Sequence, residues 1–162
     1  MTKTIKKLLI FDFDGVLAIK WTRPEEYFHQ IPDLIKKLSH NYILCVASFN
    51  PRAQLAITNW GLDDYFTCMR YGANHNWADI YKESYRENMT KADQIVHMIE
   101  NEIDQLNNKT DELGNKFEFG DVMFFDDDPE NILQVNEKLP WIKTVLIDGN
   151  IGIHLSDIPN YK

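Results

Sequence analysis

An α/β fold, a mainly parallel sheet with helices on both faces, is what this chain of 162 residues predicts. Three observations lead there. The apolar runs around Leu8-Leu9-Ile10-Phe11, Tyr42-Ile43-Leu44-Cys45-Val46-Ala47 and Val122-Met123-Phe124-Phe125 lack the alternation of half-exposed strands, so they read as strands buried on both faces. Segments of helical periodicity separate them, the order that right-handed crossovers between parallel strands produce. No linker, repeat or low-complexity tract divides the chain, so residues 1–162 are expected to form one domain, long enough to bury a real core.

The elements follow in order. Strand one covers roughly residues 6–13 and ends at Asp12, Asp14 and Gly15. The mixed segment 18–31, with Trp21, Pro24, Tyr27 and Phe28, suits a short flap over the strand edge. A helix begins near Ile31, because Pro32 fits a first turn and Asp33 favours the positive end, and Leu34, Ile35 and Leu38 form its buried face. Strand two closes at Ser48; Asn50 is placed to cap a helix whose first residue is Pro51 and which Gly61 ends. Residues 65–69 form a weaker strand candidate, followed by an aromatic loop through Trp77 and a helix over 79–86. Residues 91–106 carry a clearer helical stripe in Ile95, Met98, Ile99, Ile103 and Leu106. Residues 107–120 read as a polar loop. After the strand at 122–125, Asp128 caps a helix opened by Pro129, with Ile132, Leu133 and Val135 facing inward, and residues 144–147 form a last strand.

Composition bounds the function. With 44% hydrophobic and 26% charged residues the chain is an ordinary globular one. A formal net charge of -8 argues against nonspecific attraction to nucleic acid or to an anionic membrane. No apolar run reaches the length of a membrane span and no cleavable leader is evident, so a cytoplasmic protein is expected. Cys45 and Cys68 lack metal-site spacing and read as packed, reduced thiols.

Three strands end in polar residues: Asp12 and Asp14, then Ser48, then Asp126, Asp127 and Asp128. Parallel strands share one C-terminal edge, so these groups converge there. Crowded carboxylates repel by several kcal/mol at an intermediate dielectric, and either protons or a hard divalent cation must neutralise them. A donor set of oxygens alone, without His or Cys, selects magnesium. Such an ion explains how an acidic protein could hold a phosphate. Ser48 donates a hydrogen bond, the helix behind Asn50 points free N–H groups at the anion, and Lys91 completes the cradle. From spacing alone, a lysine opening a helix is more simply a solvated one.

These residues resemble the haloacid dehalogenase (HAD) superfamily of phosphohydrolases. Its first motif, a hydrophobic strand ending in DxDG, matches Phe11-Asp12-Phe13-Asp14-Gly15-Val16-Leu17; its second, a strand ending in Ser or Thr, matches Cys45-Val46-Ala47-Ser48. The helix-opening lysine of the third looks like Lys91, and the paired acids of the fourth match Phe124-Phe125-Asp126-Asp127. The fourth is most like that of the small magnesium-dependent phosphatases. Two departures are the polar stretch 107–120 and Phe49-Asn50-Pro51, where those enzymes tend to carry a basic or hydroxyl residue.

The resemblance implies a Rossmann-like, HAD-like fold and a phosphomonoesterase working through an aspartyl-phosphate. Asp12 is then the nucleophile and Asp14 the general acid and base, with Ser48 and Lys91 completing the catalytic set and Ser48, Asn50 and Lys91 holding the phosphoryl group. The Asp12 carboxylate, the Asp14 main-chain oxygen and Asp126 would bind Mg2+, Asp127 would hold a metal-bound water, and Asp128 would only cap its helix. Neither the interval from Asp14 to Ser48 nor that from Ser48 to Lys91 has room for a large cap domain. An open site suits a large or protruding phosphoester (a phosphoprotein, a sugar phosphate or a nucleic-acid end) or a cap lent by a homo-oligomeric partner. Trp21, Tyr27, Trp60, Tyr71, His75 and Trp77 are candidates for its rim, although each alone is more often simple packing. Two competing functions are a non-catalytic phosphate-binding module and a receiver-type phosphoacceptor.

Overall fold

The structure is a computed structural model, and it describes residues 5–71, 90–100, 118–159 and 161. A five-stranded, wholly parallel sheet of order β3-β2-β1-β4-β5 forms the frame, with β1 (Ile5–Phe11), β2 (Tyr42–Ser48), β3 (Cys68–Tyr71), β4 (Glu118–Asp126) and β5 (Lys143–Leu146). The helices are α1 (Ile31–Leu38), α2 (Ala53–Asn59), α3 (Lys91–Met98) and α4 (Pro129–Lys138).

The inner stretches of the central strands, residues 8–11, 43–47 and 122–125, are apolar throughout because each face of the sheet meets its own helical layer. On one face Leu9, Phe11, Leu44, Val46, Met123 and Phe125 pack against α1 and α2, whose Ile31, Leu34, Ile35, Leu38, Ala53 and Ile57 are buried. Their alternates Leu8, Ile10, Ile43, Cys45, Val122 and Phe124 pack against α3 and α4 through Ala92, Ile95, Met98, Val135 and Leu139. A side-chain period of two on the strands thus feeds two cores. Cys45 and Cys68 are buried and stand opposite one another in the register of β2 and β3.

Several boundaries differ from the sequence reading. Strand β1 stops at Phe11; the Phe13 carbonyl already accepts from the N–H groups of Leu17 and Ala18, so a tight turn begins directly after Asp12. Asn50 does not cap a helix. Its side-chain oxygen accepts from the Arg52 N–H at 2.9 Å in a local turn, and α2 starts later, at Ala53. Gly61 does end α2, at φ +76, where the N–H groups of Gly61 and Leu62 close on the carbonyls of Thr58 and Ile57. Asp63–Tyr65 is a 3-10 turn rather than a strand start, and β3 begins at Cys68.

Residues Glu118–Gly120, expected as loop, belong to β4, where Ile5 pairs with Glu118 and Lys6 with Phe119. Leu133, expected inside, is 57% exposed, because α4 presents Val135 to the sheet, followed by its C-cap residue Leu139. The expected helix over 79–86, the aromatic loop with His75 and Trp77, the stripe beyond residue 100 and the loop over 107–117 lie outside the described residues.

The chain runs from β1 outward through β2 to β3, then returns past β1 to β4. Strand order therefore reverses between β1 and β4. In open parallel sheets the crevice beyond the strand ends at such a switch point is where ligands bind.

Candidate active site

Register brings the acids together. Phe11 lies beside both Val46 and Phe125, and the Asp12 N–H donates to the Phe125 carbonyl at 2.9 Å, so Asp12 stands level with the end of β4. One carboxylate oxygen from each of Asp12, Asp126 and Asp127 lies within 4.8 Å of the other two. An all-oxygen trio at that spacing fits a hard divalent cation such as magnesium.

Asp126 is fully buried; its oxygens accept from the Asp128 N–H at 2.9 Å and from the Asn131 side-chain amide at 3.0 Å. Burial, and then the neighbouring Asp12 charge, push its carboxyl up to about 8 against the pull of Lys91 and those hydrogen bonds. A proton held on Asp126 relieves the repulsion within the cluster. The Asp127 carboxylate reaches the backbone of two glycines: a Cβ on Gly15 or on Gly149 would stand 2.5 Å from its Oδ2, and Gly15 also has φ +80. A side chain at either position would have to displace that carboxylate, and at Gly15 it would also take a conformation that L residues rarely adopt. Asp127 is ion-paired with Lys20 of the flap. Asp128 accepts from the Glu130 N–H at 2.9 Å and caps α4, as its spacing predicts.

Lys91 is 1% exposed, which overturns the solvated reading that spacing alone favours. Thr90 and Asp93 form a reciprocal capping box that starts α3 at this residue. A cation in the first helical turn opposes the helix dipole, so its place is earned by its partners. Its ammonium donates to the Ala47 carbonyl at 2.8 Å, to Asp12 Oδ1 at 3.3 Å and to Gln94 Oε1 at 3.3 Å, which uses all three of its N–H groups. The Phe49 ring covers it at 4.5 Å, an N–π contact that gives one departure from the family pattern a role.

Ser48 is buried, with its hydroxyl accepting from the Asn50 N–H at 3.0 Å and its carbonyl accepting from Gln94 at 2.6 Å. Asn50, the other departure, turns its side-chain amide to Asp14, 3.2 Å from Oδ2. The Asp14 carboxylate is not part of the acidic trio. Burial raises its pKa; the Asn50 hydrogen bond opposes that rise and the charge of Asp12 adds to it.

The expected flap is present. Residues 17–19 and 26–28 form a small hairpin, with Ile19 N–H donating to the Glu26 carbonyl and Phe28 N–H to Leu17. Glu25 fastens it: its buried carboxylate accepts from Arg52 at 2.7 Å and from Arg23 at 3.0 Å, and its carbonyl accepts from the Trp60 indole at 3.0 Å. Burial alone would raise the Glu25 pKa, but the Arg52 hydrogen bond and the two arginine charges outweigh it and hold the carboxyl low. Trp60 stacks on Phe13 and meets Tyr27 edge-on, both at 5.4 Å, so these aromatics anchor the flap from beneath. Tyr71 lies on β3, and Trp21 stands at the flap tip, 94% exposed.

Sequence reasoning missed Gln94, Asn131, Lys20 and the Glu25 anchor. Gln94 carried a usable signal, because it lies three residues after Lys91 on one helix face. The others are brought in by tertiary folding alone.

Several solved structures share this fold. A haloacid dehalogenase-like family hydrolase from Streptococcus pneumoniae superposes with TM-score 0.60 at 15% identity, covering 97% of this chain and 91% of the other. The fold is that of the HAD-like hydrolases. The N-terminal part of a Bacteroides fragilis protein containing a phosphatase domain, complexed with Mg, gives TM-score 0.60 at 19% identity over 91% of this chain and 38% of that one. A HAD-superfamily hydrolase of subfamily IA from Geobacter sulfurreducens gives TM-score 0.55 at 10% identity over 87% and 89%. No family model and no curated protein matches the sequence. Among the described residues the HAD-like core carries no cap domain between Asp14 and Ser48, only the flap and α1, and no helix is long and apolar enough to cross a membrane.

Proposed function

We propose that this chain is a magnesium-dependent phosphomonoester hydrolase that works through an aspartyl-phosphate on Asp12. The observation that carries the reading is the buried Lys91 ammonium against Asp12 Oδ1, on the rim where Asp12, Asp126 and Asp127 converge. An ammonium is costly to bury, and one kept against a carboxylate at this strand edge is placed to hold charge there.

Asp12, Asp126 and Asp127, with the Asp14 main-chain oxygen, would hold the ion, which when bound draws charge from a phosphoryl oxygen as a Lewis acid. Lys91 orients the Asp12 carboxylate, one oxygen of which attacks phosphorus while the bond to the leaving oxygen breaks. Asp14 gives its proton to that leaving oxygen. Its raised pKa suits this duty, since a general acid must still carry its proton near neutral pH. Asp14 then takes a proton from water, the water oxygen attacks phosphorus, and the bond to Asp12 breaks to release phosphate. Ser48 gives its hydroxyl hydrogen to a phosphoryl oxygen, and Lys91 turns to another the N–H that it otherwise gives Asp12 Oδ1. Asn50 holds Asp14 in place through its amide, a positioning duty beside its assigned part in the phosphate cradle.

The substrate is a large or protruding phosphoester, with a phosphoprotein, a sugar phosphate and a nucleic-acid end as the classes to compare. The experiment is hydrolysis of para-nitrophenyl phosphate with and without magnesium. Asp12→Asn is expected to abolish turnover, and Asp14→Asn to slow it by about 100-fold or more while a hydroxylamine-sensitive phosphoenzyme accumulates. Full activity in Asp12→Asn would overturn the reading. A stable phosphoprotein without turnover in the wild type would favour the receiver-type function instead.

A further inference from the structure

Above Asp14 opens a cleft of about 210 Å³ lined by Asp14, Lys20, Trp21 and Arg23. Three of those four residues have no part in the chemistry proposed so far. Trp21 stands out among them: it is 94% exposed and holds φ +68, the left-handed conformation that an L side chain adopts at a cost. Among the described residues no other non-glycine does so. A large apolar ring kept in water on an unfavourable backbone points to a use outside packing, because strain of this kind gathers at ligand-binding positions.

The flap beneath Trp21 is fastened. Thr22 Oγ1 donates to the Ile19 carbonyl at 2.8 Å and accepts from the Glu26 N–H at 3.0 Å, and Glu25 ties the following residues to Arg52 and Trp60. The indole is therefore presented on a pre-organised support, and binding against it does not have to order a loop.

We infer that Trp21 is the platform on which the leaving group lies, and that it favours phosphomonoesters whose leaving group carries a planar aryl or heteroaryl ring. The inference rests on the reading that Asp14 faces the leaving oxygen, since that oxygen then sits at the floor of the cleft and the group attached to it must lie along the wall. The chemistry of the lining selects a ring over a sugar. Lys20 and Arg23 donate hydrogen bonds and accept none, and Asp14 is engaged by Asn50. Both cations are already ion-paired, Lys20 with Asp127 and Arg23 with Glu25, so the hydroxyls of a sugar would find few open partners, whereas a planar ring needs none and offers its π face to the indole.

The test compares wild type, Trp21→Ala and Trp21→Phe on phenyl phosphate, uridine 5′-monophosphate, glycerol 2-phosphate and ribose 5-phosphate. In Trp21→Ala the kcat/KM ratio of the ring-bearing substrates to the alkyl and sugar ones falls about tenfold, and Trp21→Phe restores most of it. A fall confined to phenyl phosphate identifies a ring bonded directly to the ester oxygen, and one confined to the nucleotide identifies a nucleobase. Calorimetry with phenylphosphonate and methylphosphonate supplies a readout without turnover: Trp21→Ala loses the preference for the phenyl compound. Unchanged ratios together with unchanged phosphonate preference overturn the inference, as does a ratio that moves against glycerol and ribose phosphates. If wild type hydrolyses none of the four, the phosphatase reading fails, and the phosphonate comparison still decides the platform.

Discussion

Replacing Asp126 by asparagine in metal-free protein probes the electrostatics of the site directly. Its carboxyl is raised from an ordinary 3.8 to about 8 in the folded state, with burial as the main cause. Between those two values the folded protein keeps a proton that the unfolded chain releases. The contribution of Asp126 to folded stability is therefore highest below pH 3.8, declines as pH rises, and levels off above about 8. Each tenfold change in proton affinity corresponds to about 1.4 kcal/mol, so the decline reaches about 4 kcal/mol by pH 7, a large part of a typical domain's 5–15 kcal/mol. Asparagine cannot titrate, and its carbonyl still accepts from the Asp128 N–H while Asn131 turns its amide to match. Urea unfolding in EDTA from pH 4 to pH 9 should show Asp126→Asn gaining on wild type by roughly that amount as pH rises. Millimolar magnesium at pH 8 should restore stability to wild type alone, because the proposed ion replaces the proton. A wild-type-minus-variant difference that stays flat with pH would refute this reasoning.

Two further outcomes follow from the same geometry. Lys91→Met removes the ammonium beside Asp12 and strands the Ala47 carbonyl and Gln94; para-nitrophenyl phosphate hydrolysis should fall at least about 100-fold, and a smaller fall denies Lys91 its charge-holding part. Glu25→Gln loosens the grip of Arg23 and Arg52 on the flap, so the amides of Ile19 and Phe28 should exchange with solvent faster than in wild type; equal rates would show that the Trp60 contact alone suffices.

Much of the frame is legible in the chain because burial on both faces leaves a strong mark. The uninterrupted apolar runs at β1, β2 and β4 announce central parallel strands, and their polar ends announce a shared edge. What escapes is decided by tertiary contact. Asn50-Pro51 has the local chemistry of a helix start, yet the Asn50 amide is drawn to Asp14 and the helix is delayed to Ala53. Lys91 looks solvated on its own helix, and only the arrival of β1 and β2 beside it explains its burial. Leu133 is misplaced because one helical stripe cannot say how far a helix rotates against an outer strand. Lys20 and Glu25 belong to a segment without periodicity, so nothing local reports that one reaches Asp127 and the other anchors the flap.

The reversal of strand order between β1 and β4 also bears on biosynthesis. Asp12 is synthesised well before its neighbours Asp126 and Asp127, which come with a strand that inserts only after the chain has doubled back past β1. A polypeptide ending before residue 118 would therefore display Asp12 without the two acids that complete the trio, and the proposed phosphoryl chemistry would wait for β4.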